Sequence, residues 1–268
     1  MTVPLNKLTV ILLINGDRMS YSSFASVYDE LTQNVDYKKR AEYIASILAD
    51  FDIKDGLLLD LACGTGSLSV EFSKMGFEVI GTDASPDMLM EAREKAMEAG
   101  ENILFLCQKM QKTDLYGTVR AIVCSLDSIN HLSSADEMRQ TFQVLKNFID
   151  DGGIMIFDVN TIYKHQEILG NNTFIYDEKN VYCVWQNSLY PDGVTVGINL
   201  DFFVKNEDGS YNRFTENFKE LAFSDSDITE AVENAGFKVV KRYREFSCGQ
   251  PKEDTQRAYY VIRRDYNG

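Results

Sequence analysis

Residues Leu57 to Ser69 read Leu-Leu-Leu-Asp-Leu-Ala-Cys-Gly-Thr-Gly-Ser-Leu-Ser, an order that few folds accommodate. Three apolar residues lead into Asp60, glycines follow at Gly64 and Gly66, and Leu68, Val70 and Phe72 open an apolar face. The pattern predicts a buried strand, a tight turn and a helix start. Glycine at both turn positions permits positive φ and lets a ligand reach the main chain where a side chain would obstruct it.

Charge narrows the ligand. Asp60 stands at the carboxyl end of the strand, where a dinucleotide's pyrophosphate would otherwise meet the helix N-terminus. A carboxylate repels phosphate there. Ser69 also occupies the position at which the dinucleotide fingerprint wants glycine or alanine, and no Lys followed by Ser or Thr trails the glycines as a P-loop requires. A nucleoside with positive charge and no phosphate fits better, and S-adenosylmethionine, with its sulfonium and ammonium, is such a ligand.

Phe77 to Thr82 predicts a second buried strand ending in Asp83, placed to accept the ribose hydroxyls of an adenine nucleoside. Ser85 then caps a helix with Pro86 at its first position. With Asp60-Leu-Ala-Cys-Gly-Thr-Gly66 followed by Gly81-Thr-Asp83-Ala-Ser-Pro-Asp-Met-Leu, the chain resembles the class I S-adenosylmethionine-dependent methyltransferases over most of its length after Met19. The resemblance implies that Asp60 orients the methionine ammonium, Gly64 and Gly66 admit the methionine part and Asp83 holds the ribose. It also brings Ala62, Ala84, Met88, Met110 and Ser125 into the cofactor-binding set. Lys109 stands where the family carries an acid that accepts the adenine amino group, and a lysine only donates. Backbone groups at Lys109 and Met110 are left to read the adenine edge.

Upstream, Phe24-Ala-x-x-Tyr28-Asp29 is similar to a family segment that lies over the cofactor. Core packing accounts for Tyr21 and Phe24. Tyr28 has a second reading, an aromatic cover for the sulfonium worth about 0.5 to 2 kcal/mol. Residues 1–18 carry no motif, and the apolar run from Leu8 to Ile14 is too short for a membrane helix and lacks a cleavage site. They are read as a tail or as a start misassigned ahead of Met19.

Val119 to Cys124 predicts a fourth strand ending in Ser125-Leu-Asp-Ser-Ile-Asn-His131, a polar set at the edge where open α/β sheets bind ligands. Asp127 and His131 are the candidate acid or base groups, with Tyr163 beside them after the fifth strand, Ile154 to Val159. A helix-entry role suits His131 equally. Asn160 and Tyr163 are expected at the mouth of the site. The Asn-Pro-Pro-aromatic motif of the family's adenine-amino methyltransferases is missing.

Strands and helices alternate to this point, which predicts a parallel sheet. From Thr173 to Ala222 apolar and polar residues alternate, punctuated by Asp-Glu-Lys-Asn180, Pro191-Asp-Gly193 and Asn206-Glu-Asp-Gly209. Those turn signals predict an inserted antiparallel sheet of four strands. Its aromatics pack it on the main domain or line a substrate pocket, for which Tyr176, Trp185 and Arg213 are the candidates. The expected fold class is thus α/β: a seven-stranded, mostly parallel sheet with helices on both faces, a closing antiparallel hairpin, and a small β insertion after strand five. Residues 19–160 and 223–268 would form the core and 161–222 a lid.

The chain's 27 Lys and Arg against 41 Asp and Glu give a formal charge of −14, which disfavours nonspecific nucleic-acid binding. Lys238, Lys241, Arg242, Arg244, Arg263 and Arg264 nevertheless concentrate on the closing hairpin and keep an RNA or protein acceptor in view. Five widely spaced cysteines, four of them in apolar runs, suit reduced packing residues in a cytoplasmic protein, with neither a disulfide nor a zinc site expected. The expected reaction is methyl transfer to a nitrogen or oxygen of a small molecule. An RNA or protein methyltransferase, or a cofactor-binding regulator without turnover, are the alternatives. No membrane partner is expected, and the oligomeric state stays open.

Overall fold

The computed structural model describes residues 31–32 and 35–264. The readings for residues 1–18, Tyr21, Phe24 and Tyr28 fall outside that range. Helix α1 spans Tyr37–Ala49, and its first turn is capped by Asp36, whose carboxylate accepts from the Lys39 amide. Strand β1 is Gly56–Leu61, α2 Ser67–Lys74, β2 Phe77–Asp83, α3 Pro86–Ala99 and β3 Leu104–Cys107. Strand β4 is Val119–Cys124, α4 Ala135–Leu145 and β5 Ile149–Asn160. Helix α3 begins as its sequence dictates, with the Ser85 hydroxyl accepting from the Met88 amide and Pro86 in the first turn.

The main sheet runs β10-β11-β5-β4-β1-β2-β3, where β10 is Phe237–Arg244 and β11 Arg257–Arg264. Strands β1 to β5 are parallel, and the β10/β11 hairpin closes the edge antiparallel to β5. The chain builds outward from β1 to β3, then crosses back to lay β4 on the other side of β1. That reversal opens a crevice at the carboxyl ends of β1 and β4. One sheet face is buried under α1 and α2 through Ile44, Leu48, Leu68 and Phe72. The other lies under α4 and α5 (Asp225–Asn234) through Met138, Phe142, Ile228 and Val232. Strands covered on both faces need continuous apolar runs, which is why Leu58, Leu59, Ile122 and Val123 are all fully buried.

A second sheet, β6-β7-β8-β9, consists of Thr173–Asp177, Val181–Leu189, Thr195–Lys205 and Tyr211–Leu221. It follows β5 after a π-helical turn, Lys164–Leu169. All its pairings are antiparallel, and alternate residues of β8 from Val196 to Phe202 (Val196, Ile198, Leu200, Phe202) are buried. The seven-stranded sheet, its antiparallel closing hairpin and the four-stranded insertion agree with the sequence reading. Strand β5 is longer than read, because Gly152 and Gly153 bend the chain within it and not before it. Two cysteines also differ: Cys107 and Cys248 are exposed, while Cys124 and Cys183 are buried. No helix of the described residues is long and apolar enough to cross a membrane.

Candidate active site

A cavity of about 720 Å³ opens at the carboxyl edge of β1, β2 and β4. Its floor comes from the sequence motifs: Asp60, Ala62, Gly64, Asp83, Ala84, Met88, Lys109, Met110 and Ser125 all line it. Its far wall comes from His131 and, across the gap, from Glu216 and Phe218 of β9.

The floor is fixed by main-chain hydrogen bonds. Asp83 accepts from the Gly64 amide at 2.9 Å and the Ser85 amide at 2.8 Å, tying the two loops together. Each carboxylate oxygen retains a lone pair for another donor. Burial raises the Asp83 carboxyl above its ordinary range, held back by those amides. Asp60 is almost wholly buried and accepts from the Ser69 hydroxyl at 2.5 Å. Burial pushes its carboxyl up to about 7; the Ser69 hydrogen bond opposes that rise, and the nearby Asp83 charge adds to it. Ser69, which argued against a dinucleotide, thus has a positive role as the partner of Asp60.

The two glycines of the turn do different work. Gly64 has φ +56, and a Cβ there would point into open space, so the turn presents bare main chain to the cavity. Gly66 has φ +73 and does not line the cavity; a Cβ there would lie 2.9 Å from that of Ala92 and 3.2 Å from the Phe105 ring. Glycine at this position lets α2 approach α3 and β3 closely. Ala62 carries φ +58, an uncommon conformation for a residue with a side chain.

A buried ion-pair centre supports the turn after β4. Asp158, fully buried on β5, accepts from the Ser125 hydroxyl at 2.6 Å and from the amides of Leu126 and Asp127 at 2.9 and 2.8 Å. Leu126 and Asp127 both lie at positive φ, +58 and +54, and those bonds hold them there. Arg257 of β11 bonds Asp158 and, at 2.5 Å, Asp127. Burial would raise the Asp127 carboxyl, but Arg257, then Lys164 and His131, outweigh it and lower it to about 2. As a general base Asp127 is therefore weak. It serves as the counter-ion of Arg257 and does not line the cavity.

His131 does line it, half-exposed, with its ring 5.3 Å from that of Phe218 and Nε2 4.0 Å from Glu220 Oε1. Asp127, His131 and Glu220 bring possible ligand atoms within 4.8 Å of one another, but Arg257 already neutralises this corner. Asn160 is buried and not at the mouth: it exchanges hydrogen bonds with Asn130 and donates to Glu220 at 3.1 Å. Tyr163 lines a separate cavity of about 420 Å³ with Arg242 and Tyr260, so it is not brought to His131. Tyr176 stacks on Trp185, whose Nε1 donates to Asn187, and Arg213 bonds Asp201; none of the three lines the main cavity. On the closing hairpin, Arg242 pairs with Asp225 and Arg264 with Asp151.

Sequence reasoning missed Phe218 and Glu220 and took Glu216 only as a neighbour of Arg213, though one signal marks all three. Even-numbered residues of β9 from Phe214 to Glu220 fall on its buried face, so two glutamates stand where alternation demands apolar residues. His165, also passed over, is fully buried, with Nδ1 2.7 Å from the Val194 carbonyl and Nε2 3.7 Å from Glu220.

Comparison with known proteins agrees with this geometry. A profile of the methyltransferase domain matches residues 58–153, the segment that supplies the floor. A crystal structure of an S-adenosylmethionine-dependent methyltransferase from Clostridium acetobutylicum superposes with a TM-score of 0.82 at 31% identity, covering 91% of this chain and 99% of that one. A glycine/sarcosine N-methyltransferase of Halorhodospira halochloris is 26% identical over 91% of this chain and 88% of its own. A Bacillus subtilis protein named as a methyltransferase, YqeM, is 32% identical over 90% of this chain and 96% of its own length, and with that relative the chain belongs to the methyltransferase family.

Proposed function

We propose that this protein is an S-adenosylmethionine-dependent methyltransferase acting on a nitrogen or oxygen of a small molecule. The observation that carries the reading is the pair of carboxylates, Asp60 and Asp83, at successive strand ends on either side of an unobstructed Gly64 turn. Asp60 suits an ammonium, and Asp83, with both loop amides already bound, has lone pairs left for two vicinal hydroxyls. When bound, the cofactor supplies an electrophilic methyl on a sulfonium. The protein's part is positioning, together with a proton acceptor on the far wall, for which His131 is the residue in the cavity. Nitrogen chemistry on a small acceptor is what the name of the Halorhodospira relative describes.

Titration calorimetry with S-adenosylhomocysteine and NAD tests the reading. Binding of the former alone is expected, and Asp83→Asn should weaken it by about 1 to 3 kcal/mol, the cost of a buried hydrogen-bond acceptor replaced. Equal affinity for NAD would refute the assignment.

A further inference from the structure

Glu216 is over nine-tenths buried, lines the main cavity, and its Oε1 has no hydrogen-bond partner among the described residues. Its surroundings make that costly. Across the sheet it is registered with Leu200, which is registered with Trp185; the neighbouring row on the same face is Phe218, Ile198 and Asn187. A cavity-lining carboxylate in an apolar row, with one buried oxygen unpartnered, calls for a partner supplied from the cavity side.

From this we infer that Glu216 recognises the methyl acceptor through a protonated amine. The inference rests on the proposed function and names the acceptor class for that same site. A hydroxyl would satisfy the bare oxygen but leave its charge uncompensated in the apolar row, whereas an ammonium supplies both proton and charge. The Phe218 ring beside it favours a cation over a neutral group. The cavity's other charged side chains point the same way, with Asp60, Asp83 and Asp87 set against Lys109, so an anionic acceptor is disfavoured. A metal ion fits poorly, because Leu200 and Ile198 flank the carboxylate on β8 and supply no ligand side chains.

The test uses the full chain, its Glu216→Gln variant, S-adenosylhomocysteine, and the matched probes cyclohexylamine and cyclohexanol, read by calorimetry and thermal shift. S-adenosylhomocysteine affinity should stay within about threefold in the variant, and the free variant should melt at or above the wild type, since an unpartnered buried charge has been removed. Cyclohexylamine should raise the melting temperature of the wild type and cyclohexanol should not, with amine affinity falling at least about tenfold, or 1.4 kcal/mol, in Glu216→Gln. Amine and alcohol acting alike, no response to either, or an amine response untouched by Glu216→Gln would each overturn the inference. So would a stabilisation by magnesium or zinc that the variant abolishes, or a variant that melts well below the wild type. If S-adenosylhomocysteine binding collapses in the variant, Glu216 serves the cofactor's own ammonium: the inference falls and the proposed function stands. If the wild type binds the amine through Glu216 yet never binds S-adenosylhomocysteine, the reverse holds.

Discussion

The two walls of the cavity are built on different principles. On the floor, the Asp83 carboxylate bonds two loop amides, Asp60 has Ser69, and the turn after β4 is held by three bonds to Asp158. The far wall joins His131, after β4, to a row of side chains on one strand of the second sheet, with a carboxylate oxygen left unpartnered. Positions on the floor constrain one another, so a change there disturbs the loop geometry along with any contact to ligand. Positions on β9 present side chains independently, so the far wall can alter what it recognises without disturbing the floor. This division suits an enzyme with a constant cofactor and a particular acceptor.

The strongest way to break this comparison is through Arg257, which sits between Asp127 and Asp158 with its Nε 3.4 Å from Glu245. Arg257→Met leaves those acids without their counter-ion, and breaking a buried pair from one side costs about 3 to 5 kcal/mol. Urea unfolding should show a midpoint shift of that size. S-adenosylhomocysteine affinity should fall as well, because the Ser125–Asp127 turn loses its support. A loss under about 1 kcal/mol would mean that the floor is less tightly determined than its hydrogen bonds indicate.

This contrast also explains what was legible in the sequence. Asp60, Gly64 and Asp83 act through local main-chain geometry, and their spacing along the chain is their spacing in the site. The hairpins of the second sheet were legible for the same reason, since Pro191-Asp-Gly193 and Asn206-Glu-Asp-Gly209 are local turn signals. Glu216 and Arg257 were not, because each meets its site only through tertiary contact between segments far apart in the chain: Glu216 joins the cavity of Asp60, Asp83 and His131 from the second sheet. Arg257 meets Asp158 only once β11 has paired with β5. Tyr163 and Asn160 follow β5 closely, and proximity in sequence suggested the site; the chain instead turns away at Thr161, whose hydroxyl bonds the Thr255 carbonyl. Aromatic density on the second sheet drew attention to Trp185 and Tyr176, yet strand order sets them two and three strands from the cavity-lining β9.

A smaller effect sharpens the account of Asp60. Its carboxyl in the free protein lies near pH 7, well above the value of an unfolded chain, so the protonated form is favoured by folding. Its contribution to stability is therefore fully present below about pH 4 and is lost as pH rises through about 7. Ammonium binding favours the ionised form instead, so below about pH 7 binding must release a proton. S-adenosylhomocysteine affinity should then weaken by up to about tenfold per pH unit as pH falls from 7, and level off above it. Calorimetry in two buffers of different ionisation enthalpy would detect the proton. Asp60→Asn should remove the pH dependence and give weak binding throughout; a variant with the wild-type profile would move the titration to another group.

The smallest expected effect belongs to Arg213, three residues before Glu216 on the same strand but on its opposite face. Its side chain is 60% exposed and bonds the Asp201 carboxylate at 2.8 Å across the pair with β8. An ion pair this exposed contributes about 0 to 1 kcal/mol, and salt screens it. Arg213→Ala should therefore shift stability by no more than about 0.5 kcal/mol, leave S-adenosylhomocysteine affinity unchanged, and leave the response to cyclohexylamine within about twofold of the wild type. The comparison with Glu216→Gln is the sensitive one, because the two changes remove single charges of opposite sign from opposite faces of one strand. If Arg213→Ala strengthens amine binding as far as Glu216→Gln weakens it, long-range charge and not contact governs the far wall. The strand alternation that separates the two residues would then have no bearing on recognition.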